Sequence, residues 1–259
     1  MIQIRDLFKR YGRQDVLRGV SLDLREPGIY AVLGPNGSGK TTLIKCLLGM
    51  VLPQRGTLAL DGQDIHRQWR YRGQIGYLPQ VTRFPENLTV RELLRFVQSL
   101  RRETAQADPL IERFGLAPYL GKRMGTLSGG TRQKVNLVLA FMYDCPVYVL
   151  DEPSAGLDPV ALLQLKALIR EARAAGKHIL ITTHIMTLVE DLADEIVFLL
   201  DGQIYFRGSL ADLLAQYDEP DLEHAIARLL EQQAPAQTSS TAAETSFASL
   251  NPRLSWARF

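Results

Sequence analysis

Gly28-Ile29-Tyr30-Ala31-Val32-Leu33-Gly34-Pro35-Asn36-Gly37-Ser38-Gly39-Lys40-Thr41 runs from an apolar block straight into a glycine-rich turn. The block has strand length and reads as a buried strand, and Thr41–Leu48 reads as a helix ended by Gly49. The junction matches GxxxxGK followed by Ser or Thr, the phosphate-loop pattern. Glycines let the backbone wrap closely around phosphates, and free amides at a helix start attract negative charge. Lys40 would reach the β- and γ-phosphates, and the Thr41 hydroxyl would ligate Mg²⁺. A ligand-free glycine-rich turn is the plainer alternative, and the complete pattern in its strand-to-helix context argues against it. The chain is expected to bind a nucleoside triphosphate, with Gly34, Pro35, Asn36, Gly37, Ser38, Gly39, Lys40, Thr41 and Thr42 around the phosphates.

The same rhythm continues outward. Val147–Leu150 and His178–Thr182 are further buried-strand candidates, with Ala161–Ala175 between them at helical periodicity and ended by Gly176. Strand, helix, strand is the order of a parallel sheet with crossover helices, so the fold class is α/β. Met1–Leu24 and Gly56–Asp64 alternate apolar and polar residues, which predicts an antiparallel flank. From about 87 to 144 the pattern is helical, as in Val90–Leu100 with Leu93, Leu94 and Val97, and predicts an inserted helical subdomain. The expected divisions are a nucleotide-binding domain over 1–215, a short helix over 216–232 and a disordered tail over 233–259. The tail is rich in Ala, Ser and Thr, with Phe247, Leu250, Leu254, Trp256 and Phe259 at its far end.

Asp151 and Glu152 close the Val147–Leu150 run, at the strand edge where α/β sheets hold ligands. Beside a phosphate loop, Asp151 can hold Mg²⁺ and Glu152 can deprotonate an attacking water.

The net charge of only +2 argues against nucleic-acid binding driven by bulk positive charge, and no nucleic-acid partner is expected. Arg67, Arg70 and Arg72 beside Trp69 and Tyr71 read as a solvated face. No apolar run is long enough to span a bilayer, and the N-terminus shows no secretory signal. With only Cys46 and Cys145, a disulfide framework is excluded and buried, inert thiols are expected. His66, His178 and His224 read as surface or packing residues without partners. A reducing, cytosolic setting fits these features.

Leu127-Ser128-Gly129-Gly130-Thr131-Arg132-Gln133-Lys134 resembles the signature motif of the ATP-binding-cassette family, and the resemblance spans roughly Ile2–Leu214. It implies a P-loop NTPase (RecA-like) parallel-sheet core with an antiparallel β subdomain and an inserted helical subdomain. It also implies an ATPase in which two nucleotide-binding subunits pair head to tail, each signature closing over ATP held by the other. Ser128, Gly129 and Gly130 suit that role as a second anion cradle at a helix start; a plain helix N-cap is the alternative. Gln80, in Tyr77-Leu78-Pro79-Gln80, resembles the glutamine that approaches Mg²⁺ and the attacking water. His184, in Ile181-Thr182-Thr183-His184, resembles the switch histidine at the γ-phosphate. Asp158 resembles the loop residue that crosses the dimer interface, and also suits an N-cap before Pro159. Tyr11 resembles the aromatic residue that stacks on adenine, with Phe8 as its rival.

On this resemblance, ATP and Mg²⁺ are the expected cofactors, with Glu152, His184, Gln80 and Lys40 catalytic. The implied partners are a separate membrane permease and a second nucleotide-binding subunit, most simply a second copy. That places the chain at the inner face of the cell membrane, bound through its permease. Leu199–Leu210 and the sequence Asp221-Leu222-Glu223 with Ile226 and Leu229 resemble the ATPases of bacterial two-component ABC-2-type exporters. Thr131–Val135 and His184-Ile185-Met186 resemble cassettes linked to copper-enzyme maturation, of the nitrous oxide reductase accessory type. A regulatory cassette acting on a non-membrane partner is the alternative.

Overall fold

The structure, a computed structural model, describes residues 1–81, 83–101 and 103–233. The expected tail lies outside the described residues, except for Gln233.

The chain opens with the hairpin β1 (Ile2–Tyr11) and β2 (Gln14–Leu24), followed by β3 (Gly28–Leu33), helix α1 (Lys40–Leu47), β4 (Arg55–Leu60) and β5 (Gln63–Asp64). Strands β2-β1-β4-β5 form an antiparallel sheet, as the alternation predicts. Ile2, Ile4 and Leu7 of β1 are buried, and the register shifts after Ile4. There Asp6 adopts φ 45 and its N–H donates to Ser21 Oγ at 2.9 Å, a bulge that restores the inward face.

Next come β6 (Ile75–Leu78), α2 (Val90–Ser99), α3 (Ala107–Arg113), α4 (Gly129–Phe141), β7 (Val147–Asp151), α5 (Pro159–Ala174) and β8 (His178–Thr182). Then follow α6 (Met186–Leu192), β9 (Glu195–Leu200), β10 (Gln203–Gly208), α7 (Leu210–Tyr217) and α8 (Leu222–Gln233). The second sheet has the order β10-β9-β3-β8-β7-β6, parallel from β9 to β6 with β10 antiparallel at its edge. All six residues of β3 are buried, as a central strand covered on both faces requires. Because β6, β7, β8 and β3 run the same way, the residues that follow them collect along one edge.

The helices between β6 and β7 do not form a core of their own. Leu93, Leu94 and Phe114 join Leu150, Leu165 and Ile179 in one continuous apolar cluster. Helix α4 belongs to both parts, its Phe141 ring stacking on Tyr148 of β7 with centroids 4.6 Å apart. Helix α2 starts at a capping box, in which Thr89 Oγ1 accepts from the Glu92 N–H and the Glu92 carboxylate accepts from the Thr89 N–H.

Three features differ from the sequence expectations. Helix α7 is not among the expected elements; Ser209 and Asp212 cap it reciprocally. His224 and His178 have partners, His224 Nδ1 lying 2.8 Å from Asp221 Oδ1 at the start of α8 and His178 Nε2 3.4 Å from Arg25 O. The arginine-aromatic stretch is not wholly a solvated face: Tyr71 is buried and donates to Leu47 O, and Arg72 donates to Gly49 O. Of its two aromatics only Trp69 stays exposed.

Cys46 and Cys145 are buried as expected. Burial pushes the Cys46 thiol up to about 11, which keeps it protonated and unreactive.

Candidate nucleotide site

The turn after β3 is shaped by glycines that admit no side chain. At Gly34, with φ 148, a Cβ would stand 2.0 Å from Leu199 O; at Gly39, with φ 109, it would stand 2.9 Å from Val16 O. The loop therefore lies directly on β9 and β2. Lys40 Nζ donates to Gly34 O at 2.7 Å and Pro35 O at 3.1 Å, spanning the loop from within. Burial pushes the Lys40 ammonium down, while the Glu152 and Asp151 charges pull it back up. Ser38 Oγ is buried without a hydrogen-bond partner among the described residues.

Asp151 ends β7 and is 4% exposed. Burial pushes its carboxyl up; a hydrogen bond from Thr182 Oγ1 opposes this, and the neighbouring Glu152 charge adds to it. Glu152 follows at φ 52, a left-handed conformation unusual for a side chain of this size, and its N–H donates to Thr182 O at 2.9 Å. His184 Nδ1 lies 2.9 Å from Glu152 Oε2 without the alignment of a hydrogen bond. That buried oxygen therefore has no hydrogen-bond partner among the described residues.

A cleft of about 270 Å³ brings together Tyr11, Asn36, Gly37, Gly39, Lys40, Thr41, Thr42, Gln80, Asp151 and Glu152, with Gln14 and Val16 of β2. Gly34, Pro35 and His184 line an adjoining cleft that shares Asn36, Gln80 and Glu152 with the first. Of the two candidate rings, Tyr11 lines the cleft; Phe8 instead lies against Gly19, with Arg55 over its face. The structure does not bring Ser38, which is buried beneath the loop, or Ser128, Gly129, Gly130 or Asp158 into either lining. Ser128 caps α4 by accepting from the Thr131 N–H, and Asp158 caps α5 by accepting from the Ala161 N–H. The sequence reading misses Thr182, although it stands in the same short motif as His184.

The hydroxyl of Thr41, the amide oxygen of Gln80 and the carboxylate of Asp151 form an all-oxygen donor set, which suits a hard cation. The buried, charge-crowded Asp151 and the unpartnered Glu152 oxygen fit a neighbouring positive ion.

The family pattern described as ABC transporter matches residues 17–155. The chain belongs to the ABC transporter family. This cassette is an ATP-binding and ATP-hydrolysing subunit. It is 37% identical over 214 residues to the Nod factor export ATP-binding protein I of Burkholderia orbicola, covering 80% of this chain and 70% of that protein. It is 32% identical to the ABC-type transporter ATP-binding protein EcsA of Bacillus subtilis, covering 85% of this chain and 92% of that protein. A solved structure of an ATP-binding subunit of an ABC transporter superposes with a TM-score of 0.82 at 31% identity, covering 89% of this chain and 99% of that one. None of these names carries the copper expectation.

Proposed function

We propose that this cassette energises a two-component exporter, hydrolysing ATP as two copies close head to tail beneath a separate membrane permease. The observation that carries this reading is the division of the motifs. Lys40, Asp151 and Glu152 face one cleft, while Ser128, Gly129 and Gly130 lie outside it, exposed or half-buried at the start of α4. A second copy would bring its signature to the phosphates that this copy holds. No helix among the described residues is long and apolar enough to cross a membrane; in this reading the permease carries the cargo.

Within each site, Tyr11 stacks on adenine and the loop amides with Lys40 hold the phosphates. Thr41, Gln80 and Asp151 would hold Mg²⁺, which when bound offsets charge on the phosphate oxygens. Glu152 accepts the proton of the attacking water, and His184 donates to the γ-phosphate as charge develops on it. Asp158 supports the meeting of the two copies beside the signature.

Glu152→Gln tests the reading. Hydrolysis is expected to fall at least about 10²-fold, with ATP binding retained and the dimer trapped. Tagged Glu152→Gln protein, purified with Mg-ATP from solubilised membranes, is expected to bring a polytopic permease with it. Recovery of soluble partners alone would replace the exporter with a regulatory cassette.

A further inference from the structure

His184 is held by little of its own. Its side chain is 78% exposed, and it sits between the end of β8 and the seven-residue helix α6. Helix α6 has no side-chain N-cap, and a helix that short is not stable alone. Packing must hold it: Leu188 and Leu192 are buried with Ile29 and Ile181 of the sheet, Asp191 pairs with Lys166 and Arg170 of α5, and α8 adds a further set of contacts. Leu222, Ala225, Ile226 and Leu229 of α8 are buried in one cluster with Val189 of α6 and Phe198 of β9. Glu190 Oε1 of α6 accepts from the Leu222 N–H at 3.2 Å, tying the start of α8 to α6.

Ile226 has a second position as well. Together with Met186, Phe198 and Leu230 it lines a cleft of about 470 Å³ whose polar side carries His184 and Glu152. Met186 is the first residue of α6, two beyond His184. A loss of volume at Ile226 therefore loosens the end of α6 that carries the histidine. Helix α8 lies beyond the residues that match the family pattern.

We propose that Ile226 is a positioning residue for ATP hydrolysis: α8 clamps α6, and α6 holds His184 beside Glu152. The proposal rests on the role given above to His184.

The test uses the full chain and reads kcat, KM, ATP affinity and amide hydrogen exchange together. Ile226→Ala is expected to lower kcat about tenfold while ATP affinity stays within about twofold. Exchange should quicken over 183–192 and stay unchanged over 34–41, and Ile226→Leu should restore both kcat and protection. Glu190→Ala removes the acceptor of the Leu222 N–H and leaves the apolar cluster whole, and is expected to give a smaller loss in the same direction; it carries the test if Ile226→Ala does not fold. Parental kcat in both variants, a loss of ATP affinity alongside kcat, or unchanged exchange over 183–192 would overturn the clamp. His184→Ala is measured in parallel. A parental rate there refutes the role of His184 itself, whereas loss there with a parental rate in Ile226→Ala refutes the clamp alone.

Discussion

Lys134 Nζ donates to Asp158 Oδ2 across 2.7 Å, joining the second turn of α4 to the N-cap of α5. The ion pair links the signature helix to the residue that caps α5, and Gln133 adds a hydrogen bond to Pro153 O at 3.0 Å. The Lys134 hydrogen bond, then that from Ala161, holds the Asp158 carboxyl below its ordinary value. Asp158→Asn keeps a capping oxygen and loses the ion pair, whereas Asp158→Ala loses both. The expected order of melting temperature is parent, Asp158→Asn, Asp158→Ala. Equal melting of all three would show that neither contact contributes.

Two glycines of the phosphate loop should respond differently to alanine. At Gly34 a Cβ meets Leu199 O at 2.0 Å, so Gly34→Ala must displace the loop and abolish ATP binding. At Gly37, with φ 84, nothing lies within 4 Å, so Gly37→Ala meets backbone strain alone, about 1 kcal/mol. Titration with a fluorescent ATP analogue, beside a urea melt, separates the two.

Tyr11 is 46% exposed at the cleft, with Lys9 Nζ 5.0 Å from its ring centroid. Tyr11→Ala is expected to weaken ATP binding about tenfold, and Tyr11→Trp to retain it. Phe8→Leu should leave ATP affinity unchanged. A loss at Phe8 with none at Tyr11 would reverse the assignment.

His178 opens β8, is buried, and has Nε2 3.4 Å from Arg25 O. Burial pushes its pKa below 6.5. The unfolded chain therefore takes up the proton first as pH falls, so the contribution of neutral His178 is complete above about pH 6.5 and is lost below it. The pair between His224 and Asp221 has the opposite sign, since that pKa is raised by its hydrogen bond to the carboxylate. The urea midpoint of the parent is expected to fall further than that of His178→Gln between about pH 7.5 and about pH 5.5. Parallel curves would remove His178 as the cause.

Much of the fold is legible in the chain because its signals are local. Apolar runs such as Gly28–Leu33 and His178–Thr182 become buried parallel strands with the same bounds. Helix α7 is legible too, through Ser209 and Asp212 at cap spacing and Leu210, Leu213, Leu214 and Tyr217 on one face, yet it is absent from the expected elements. The pairing of His224 with Asp221 is a spacing of three within one helical turn, and is equally within reach of the sequence. The hydrogen bond from Thr182 to Asp151 is not, because it joins neighbouring parallel strands thirty-one positions apart in the chain.

Contiguous residues and their backbone preferences are enough to dictate the phosphate loop, the acidic pair at the end of β7 and the strand-helix order. Three other outcomes belong to the folded chain alone: Tyr11 rather than Phe8 lines the cleft, the signature lies outside it, and α8 packs on the helix following His184. Each depends on how distant segments pack, where long-range burial and not local propensity sets which side chains meet.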